Sequence, residues 1–293
     1  MHSVAIKAMA KINLGLDVLR RRESGYHEVK MVMQTVNLYD TLVFTKREDT
    51  TISITTNTGE LPLDENNLIY KAAKILFMYV GCEYGTDIHL EKRIPIAAGM
   101  AGGSTDAAAT LLALNSLYEF GLTKEELAKL GVKIGADVPY CIYGGTYLSE
   151  GIGEILTKLP DAPDCYIVIA KPEIGVSTKY VYENLHIETV KEHPDIDGMV
   201  KAIYEQSIDG VIEKMGNVLE TVTIKRYPEI ETMKQCLLAD GAENALMSGS
   251  GPTVFGIFKE ENKAKHALFN LDKAGFVKQG FVTTFAKETG IMK

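Results

Sequence analysis

The sequence predicts a two-domain α+β protein in which helices pack on antiparallel sheets. Three observations predict it. The opening third alternates apolar and polar residues in strand-length runs. Helical patterns then arrive in blocks between short strands, which is not the regular strand–helix order of a doubly wound parallel sheet. The run Pro160-Asp161-Ala162-Pro163 interrupts the chain near its middle, so the expected domains are 1–160 and 161–293. A length of 293 residues agrees with two domains.

Each element follows from local pattern. Residues 3–8 (SVAIKA) and 12–19 (INLGLDVL) read as two half-buried strands, and 20–28 as a polar turn around Gly25. Strand patterns continue over 29–38, 41–45 and 51–55. Leu68, Ala72, Ile75, Leu76 and Tyr79 have helical spacing, with Asn66 or Asn67 as cap and Gly81 as stop. A strand over 88–96 runs through Pro95 into small residues and opens into an amphipathic helix. Ser104 is its expected N-cap and Asp106 suits its first turn, while Ala107, Leu111, Leu114 and Tyr118 form its apolar face and Gly121 ends it. Thr123 and Glu126 form a capping box. Asp137 stands at a sharp corner between Gly-Ala and Val-Pro. Residues 146–149 and 154–159 form a hairpin around Gly151 and Gly153. The second half reads as a buried strand (165–170), a helix after Ser177, irregular helices over 195–220 and a helix from Pro228. Then come strand, glycine loop and strand over 245–258, a helix over 263–273 and a strand over 276–285.

Composition narrows the function classes. A formal charge of -8 argues against a nucleic-acid surface. No apolar run approaches the roughly 20 residues of a membrane span. The first residues, MHSVAIKAMAKINLG, lack a secretory h-region. The 4 cysteines are scattered without CxxC spacing, so thiols in a reducing cytoplasm are expected. The histidines are dispersed and offer no metal-ligand spacing.

The loop Pro95-Ile96-Ala97-Ala98-Gly99-Met100-Ala101-Gly102-Gly103-Ser104-Thr105 is the strongest candidate site. Its small residues leave the backbone bare, and it feeds a helix N-terminus, where unpaired amides and the helix dipole favour an anion such as phosphate. It lacks the lysine of GxxxxGK[ST] and does not fit GxGxxG. A tight strand–helix turn explains the same residues without any ligand. Asp137 is a general-base candidate and also a common turn former. Lys7 and Lys11 could neutralise phosphate or line a solvated rim, and Asn13 could serve a ligand or a neighbouring strand. Tyr26-His27 is either an aromatic platform or a surface turn. The glycine-rich loop at 248–251 is either a hairpin or a second wall of a polyanion site.

Four segments occur together in register: AKINLGLDV (10–18), PIAAGMAGGSTDAA (95–108), GADVPYC (135–141) and MSGSGPTVFG (247–256). Over nearly the whole chain they resemble the GHMP kinases, the family of galactokinase, homoserine kinase and mevalonate kinase. The resemblance implies a ribosomal protein S5 domain 2-like N-terminal domain and a ferredoxin-like C-terminal domain. It implies ATP and Mg²⁺, with residues 95–105 and Asn67 at the nucleotide. It also implies Asp137 taking a hydroxyl proton, and Lys11 stabilising Asp137 and the developing charge. KINLGL, RxxGYHE (22–28) and GADVP are similar to members whose acceptor is a cytidine diphosphate-linked methylerythritol, phosphorylated on its 2-hydroxyl in isoprenoid precursor synthesis. Asn13, Tyr26, His27 and Tyr182 then match acceptor-binding positions, Tyr26 and Tyr182 by stacking on cytosine. Small-molecule partners and a monomer or homodimer go with this reading. The rivals are a homoserine- or mevalonate-type kinase and a non-catalytic nucleotide-binding relative. Ala98 and Ala101 stand where the family has glycines, and alanine tolerates the left-handed backbone poorly.

Overall fold

The computed structural model describes residues 2–23, 25–286 and 290–291. The two expected opening strands are one strand, β1 (Ser3–Arg21), which pairs antiparallel along most of β2 (His27–Arg47). After β3 (Ile52–Thr56) and the helix α1 (Leu68–Val80) comes β4 (Gly85–Glu91), which pairs with the second half of β2 and runs parallel to β3. Helices α2 (Gly102–Leu117), α3 (Lys124–Gly131) and α4 (Val138–Tyr143) follow. The hairpin β5 (Thr146–Gly151) and β6 (Ile155–Lys158) pairs with the first half of β2, so β2 is shared by two partners on one edge.

The second half opens with β7 (Tyr166–Lys171), α5 (Thr178–Glu183), α6 (Ile196–Tyr204) and α7 (Ile208–Glu213). The short β8 (Gly216–Asn217) returns to the first sheet, parallel to β1. Then come α8 (Glu220–Arg226), α9 (Glu229–Ala239), β9 (Asn244–Met247), β10 (Val254–Phe258), α10 (Glu261–Lys273) and β11 (Gln279–Thr284). A last strand, β12 (Gly290–Ile291), pairs with β1. The second sheet has the order β11-β7-β10-β9 and is antiparallel throughout.

Local signals explain many of these boundaries. Asn67 caps α1 by accepting from the Ile69 amide at 2.9 Å, and Gly81 ends it with a left-handed φ of 67°. The Thr123–Glu126 capping box is present. Among the described residues no disulfide joins the cysteines.

The opening strand departs from expectation because it is buried on both faces. Val4, Ile6 and Ala8 belong to one core, with Leu16 and Val18. Ala10, Ile12 and Leu14 lie in another. All are even-numbered, so simple alternation would put them on one face. Register shifts between Met9 and Lys11, and again between Asn13 and Gly15, reverse the faces. The intervening segment therefore turns Ile12 and Leu14 towards the second sheet and α6, and sends Lys11 and Asn13 to the side occupied by α2. Full burial of Ile12 and Leu14 stabilises this twist by roughly 1.5–3 kcal/mol each.

Helix α2 also differs from expectation. It begins at Gly102, so Ser104 is its third residue and not its cap. Ala101 occupies the cap position in the left-handed region and gives no side-chain bond. The amphipathic pattern gives way to burial nearly all round: Thr105 through Leu111 are buried, as are Ala113, Leu114 and Leu117. Alanines at 107, 108, 109 and 113 allow β1, β2, α1 and α4 to approach from different sides.

Candidate active site

The first shift in β1 leaves backbone groups unpaired with β2, and the loop before α2 takes them up. Lys11 N–H donates to Met100 C=O at 3.3 Å, and Thr105 Oγ1 donates to Met9 C=O at 2.8 Å. The strand carrying Lys11 is thus bonded to both ends of the Met100–Thr105 turn. On the other side the loop meets residues 248–251, which join β9 to β10. Ser248 Oγ donates to Gly99 C=O at 3.0 Å. Gly99 has φ of 73°, and a Cβ there would lie 2.2 Å from Ser248 C=O. Thr178 at the head of α5 shares a 2.8 Å hydroxyl contact with Ser250.

Within this frame the loop presents a helix start. The first helical bond, Thr105 N–H to Ala101 C=O at 2.9 Å, leaves the amides of Gly102, Gly103 and Ser104 ahead of it. Ala97 and Ala101 have φ of 50° and 56°, a conformation that costs an alanine roughly 1–2 kcal/mol. Ala98, expected to be the strained neighbour of Ala101, is buried in the second core and outside that region. Ala101→Gly is therefore expected to raise unfolding free energy by about 1 kcal/mol in urea denaturation.

Opposite the loop, Lys11 Nζ donates to Asn13 Oδ1 at 2.7 Å and stands 3.8 Å from Asp137 Oδ2. Asn13 Nδ2 points to Met31 Sδ at 3.2 Å. Asp137 precedes α4 but makes no cap bond, so its carboxylate remains directed at the site. Its side chain is 32% exposed against 7% for Lys11, so the carboxylate is open to a ligand while the ammonium is enclosed. Lys7 is elsewhere, with its ammonium 4.2 Å from the centre of the Tyr39 ring.

A cavity of about 870 Å³ joins these groups. Lys11, Asn13, Asp137 and loop residues Ala97, Ala98, Gly99, Ala101, Gly102, Gly103 and Ser104 line it. Tyr26, His27 and Tyr182 line it as well. The rings of His27 and Tyr182 lie 5.2 Å apart at 36°, while Tyr26 is exposed at the rim. Burial, helped by Arg21, lowers the His27 pKa and holds the imidazole neutral, with one donor and one acceptor. Burial, then Asp137, pushes the Tyr182 hydroxyl up. A larger cavity, of about 1230 Å³, lies beside Tyr180 and Arg226 and contains none of the expected site residues.

Some expected residues support the site from outside the cavity lining. Met100 is packed in the second core, and Pro95 and Ile96 lead the chain into the loop. Thr105 is committed to the β1 backbone. Asn67 is spent on its helix: besides the cap, its Nδ2 donates to Pro62 C=O at 2.7 Å. Sequence reasoning missed Arg21, Lys179 and Leu219, which also line the cavity. It also missed Asp40 and Lys92, and misread Asp106. Asp106 sits in the fifth position of α2, buried beside Lys92, and burial raises its pKa instead of the helix dipole lowering it. The odd spacing of charges at 40, 92 and 106 carries no local signal.

Residues 67–145 match the family model for the N terminal domain of GHMP kinases, and residues 199–277 match the C terminal one. The chain belongs to the GHMP kinase family, with its two-domain fold, and is an ATP-dependent small-molecule kinase. It is 52% identical over 291 residues to the 4-diphosphocytidyl-2-C-methyl-D-erythritol kinase of Lachnoclostridium phytofermentans, covering 99% of this chain and 100% of that one. The enzyme of the same name from Lachnospira eligens is 53% identical over 283 residues, covering 97% and 98%. A crystal structure of 4-(cytidine 5'-diphospho)-2C-methyl-D-erythritol kinase superposes with a TM-score of 0.82 at 32% identity, covering 96% of this chain and 99% of that one. A homoserine kinase from Cytophaga hutchinsonii has a TM-score of 0.81 at 21% identity, over 100% and 98%, a likeness of fold alone.

Proposed function

We propose that this chain transfers the γ-phosphoryl group of ATP to the 2-hydroxyl of 4-diphosphocytidyl-2-C-methyl-D-erythritol. The observation that carries the reading is a single cavity lined by the glycine loop and Lys11–Asp137 together with Tyr26, His27 and Tyr182. Its near-full-length relatives carry the corresponding name.

The triphosphate lies against the amides of Gly102, Gly103 and Ser104 at the positive end of α2. Magnesium enters as the triphosphate's counter-ion and is part of that substrate. Among the described residues no three His, Cys, Asp or Glu side chains group as a resident metal site. Asp137 accepts the proton of the acceptor hydroxyl. The oxygen forms its bond to the γ-phosphorus as the bond to the bridging oxygen of ADP breaks. Lys11, held by Asn13, offsets charge on Asp137 and on the transferring group. Most of the catalysis is positioning and electrostatics, with proton transfer adding typically 10²–10⁴-fold. Neutral His27 reads the cytosine edge while Tyr26 and Tyr182 supply stacking faces. Residues 1–160 and 161–293 are taken as the two domains, and the enzyme as a cytoplasmic monomer or homodimer without nucleic-acid or membrane partners.

The test is an acceptor panel: purified protein, MgATP, and the cytidyl substrate, homoserine or mevalonate, with ADP release measured. Turnover with the cytidyl substrate alone is the expected result. Turnover with homoserine or mevalonate and none with the cytidyl substrate would overturn the reading. Tyr182→Ala is expected to raise the acceptor KM by about 5- to 150-fold, the worth of one base stack, with the MgATP KM unchanged in steady-state kinetics.

A further inference from the structure

Beneath the loop lies a buried charge cluster that the phosphoryl transfer does not use. The Lys92 ammonium contacts the Asp40 carboxylate and stands 3.1 Å from Asp106 Oδ2. All three side chains are at most 6% exposed, so water does little to screen these charges from one another. Asp40 Oδ1 also accepts from the amides of Arg93 at 2.5 Å and Ile94 at 2.8 Å, where the chain enters the loop. Asp106 belongs to α2, where the chain leaves it. A Cβ on Gly102 would lie 2.9 Å from Lys92 Nζ, so the ammonium stands directly under the first residue of that helix. Asp106 Oδ1 is buried and has no hydrogen-bond partner among the described residues.

Two carboxyl groups share one ammonium here. Burial drives the Asp106 carboxyl well above the usual carboxylate range, and the neighbouring Asp40 adds to this while Lys92 opposes it. Lys92 keeps its charge, because Asp106 and Asp40 outweigh the effect of its burial. Cys141 of α4 stands nearby, neutral because burial raises its thiol. Lys11 of β1 and Asp137 at the head of α4 lie around that thiol.

We propose that Asp40, Lys92 and Asp106 are positioning residues that clamp both feet of the phosphate loop, and that the clamp is built to work with one proton on its two carboxyl groups and no net charge. This rests on the loop holding the triphosphate. Loss of the proton places an uncompensated negative charge under the amides that face the phosphates, so nucleotide affinity falls as pH rises. Cytidine binding, which uses Tyr26, His27 and Tyr182 and not the loop amides, is insensitive to it.

The test measures the Kd of the magnesium complex of adenylyl imidodiphosphate, and separately of cytidine diphosphate, by calorimetry from about pH 6 to about pH 10. The wild-type protein is compared at each pH with Asp106→Asn and with Asp40→Asn, each of which leaves a single carboxyl group against Lys92. Relative to either variant, wild-type affinity for the ATP analogue is expected to weaken about tenfold across the range. Cytidine diphosphate affinity should run parallel in all three. An identical pH slope in the wild type and both variants overturns the proposal, as does a cytidine diphosphate affinity that follows the analogue's. Failure of both variants to fold also overturns it, since each mimics the neutral clamp. If the wild type binds the analogue at no pH, the triphosphate reading itself falls, and the proposal with it.

Discussion

Asp137→Asn is expected to lower kcat by roughly 10²–10⁴-fold while leaving the MgATP dissociation constant within about twofold. Asparagine is nearly isosteric, so the start of α4 is undisturbed, and Asp137 makes no cap bond there to lose. What disappears is the proton acceptor and the negative partner of Lys11 at 3.8 Å. Lys11 retains Asn13 at 2.7 Å, so its ammonium stays in place and the loop it bonds through Met100 stays with it. The loss therefore falls on the chemical step. Steady-state kinetics give kcat, and calorimetry with nucleotide gives the binding constant. Full turnover in the variant would remove Asp137 from the role of base.

Gly99→Ala is expected to damage both stability and nucleotide use. Its φ of 73° costs an alanine roughly 1–2 kcal/mol, and the added Cβ would lie 2.2 Å from Ser248 C=O. That neighbour is backbone, so no rotamer change relieves the contact, and overpacking adds typically 1–3 kcal/mol. The two loops must part at the point where Ser248 Oγ bonds Gly99 C=O. The MgATP KM should rise by about tenfold or more, and unfolding free energy should fall by about 2–5 kcal/mol. Gly121→Ala is the matched control. It has the same φ of 73° with nothing within 4 Å of its Cβ, so it should lose about 1 kcal/mol and keep its KM. Urea denaturation and steady-state kinetics on the pair separate backbone strain from loop displacement.

Elements set by local chemistry were readable from sequence. The caps of α1, the capping box of α3 and the β5–β6 hairpin depend on residues a few positions apart. So did the ingredients of the site, because each motif is contiguous. Their convergence was not readable. Lys11 and Asn13 reach the cavity only because two register shifts reverse the faces of β1, and alternation alone shows no such reversal. Ser104 looked like a cap because its side chain suits one. In the structure the cap falls three residues earlier, on a left-handed alanine held by the packing of 248–251 and of β1 against the loop. Asp106 looked like a dipole partner, yet tertiary packing buries it against Lys92. These three departures all surround the loop, where long-range contacts override local preference.

On the proposed reading, one cavity brings a triphosphate on the glycine loop to the hydroxyl of a cytidyl acceptor. This reading is tested most directly by a crystal structure with a non-hydrolysable ATP analogue and 4-diphosphocytidyl-2-C-methyl-D-erythritol bound together. The γ-phosphate is expected at the amides of Gly102–Ser104, the cytosine against Tyr182 and His27, and the 2-hydroxyl within hydrogen-bond reach of Asp137. A cytidyl ligand seated outside this cavity, or a 2-hydroxyl turned away from Asp137 and the γ-phosphate, would contradict it.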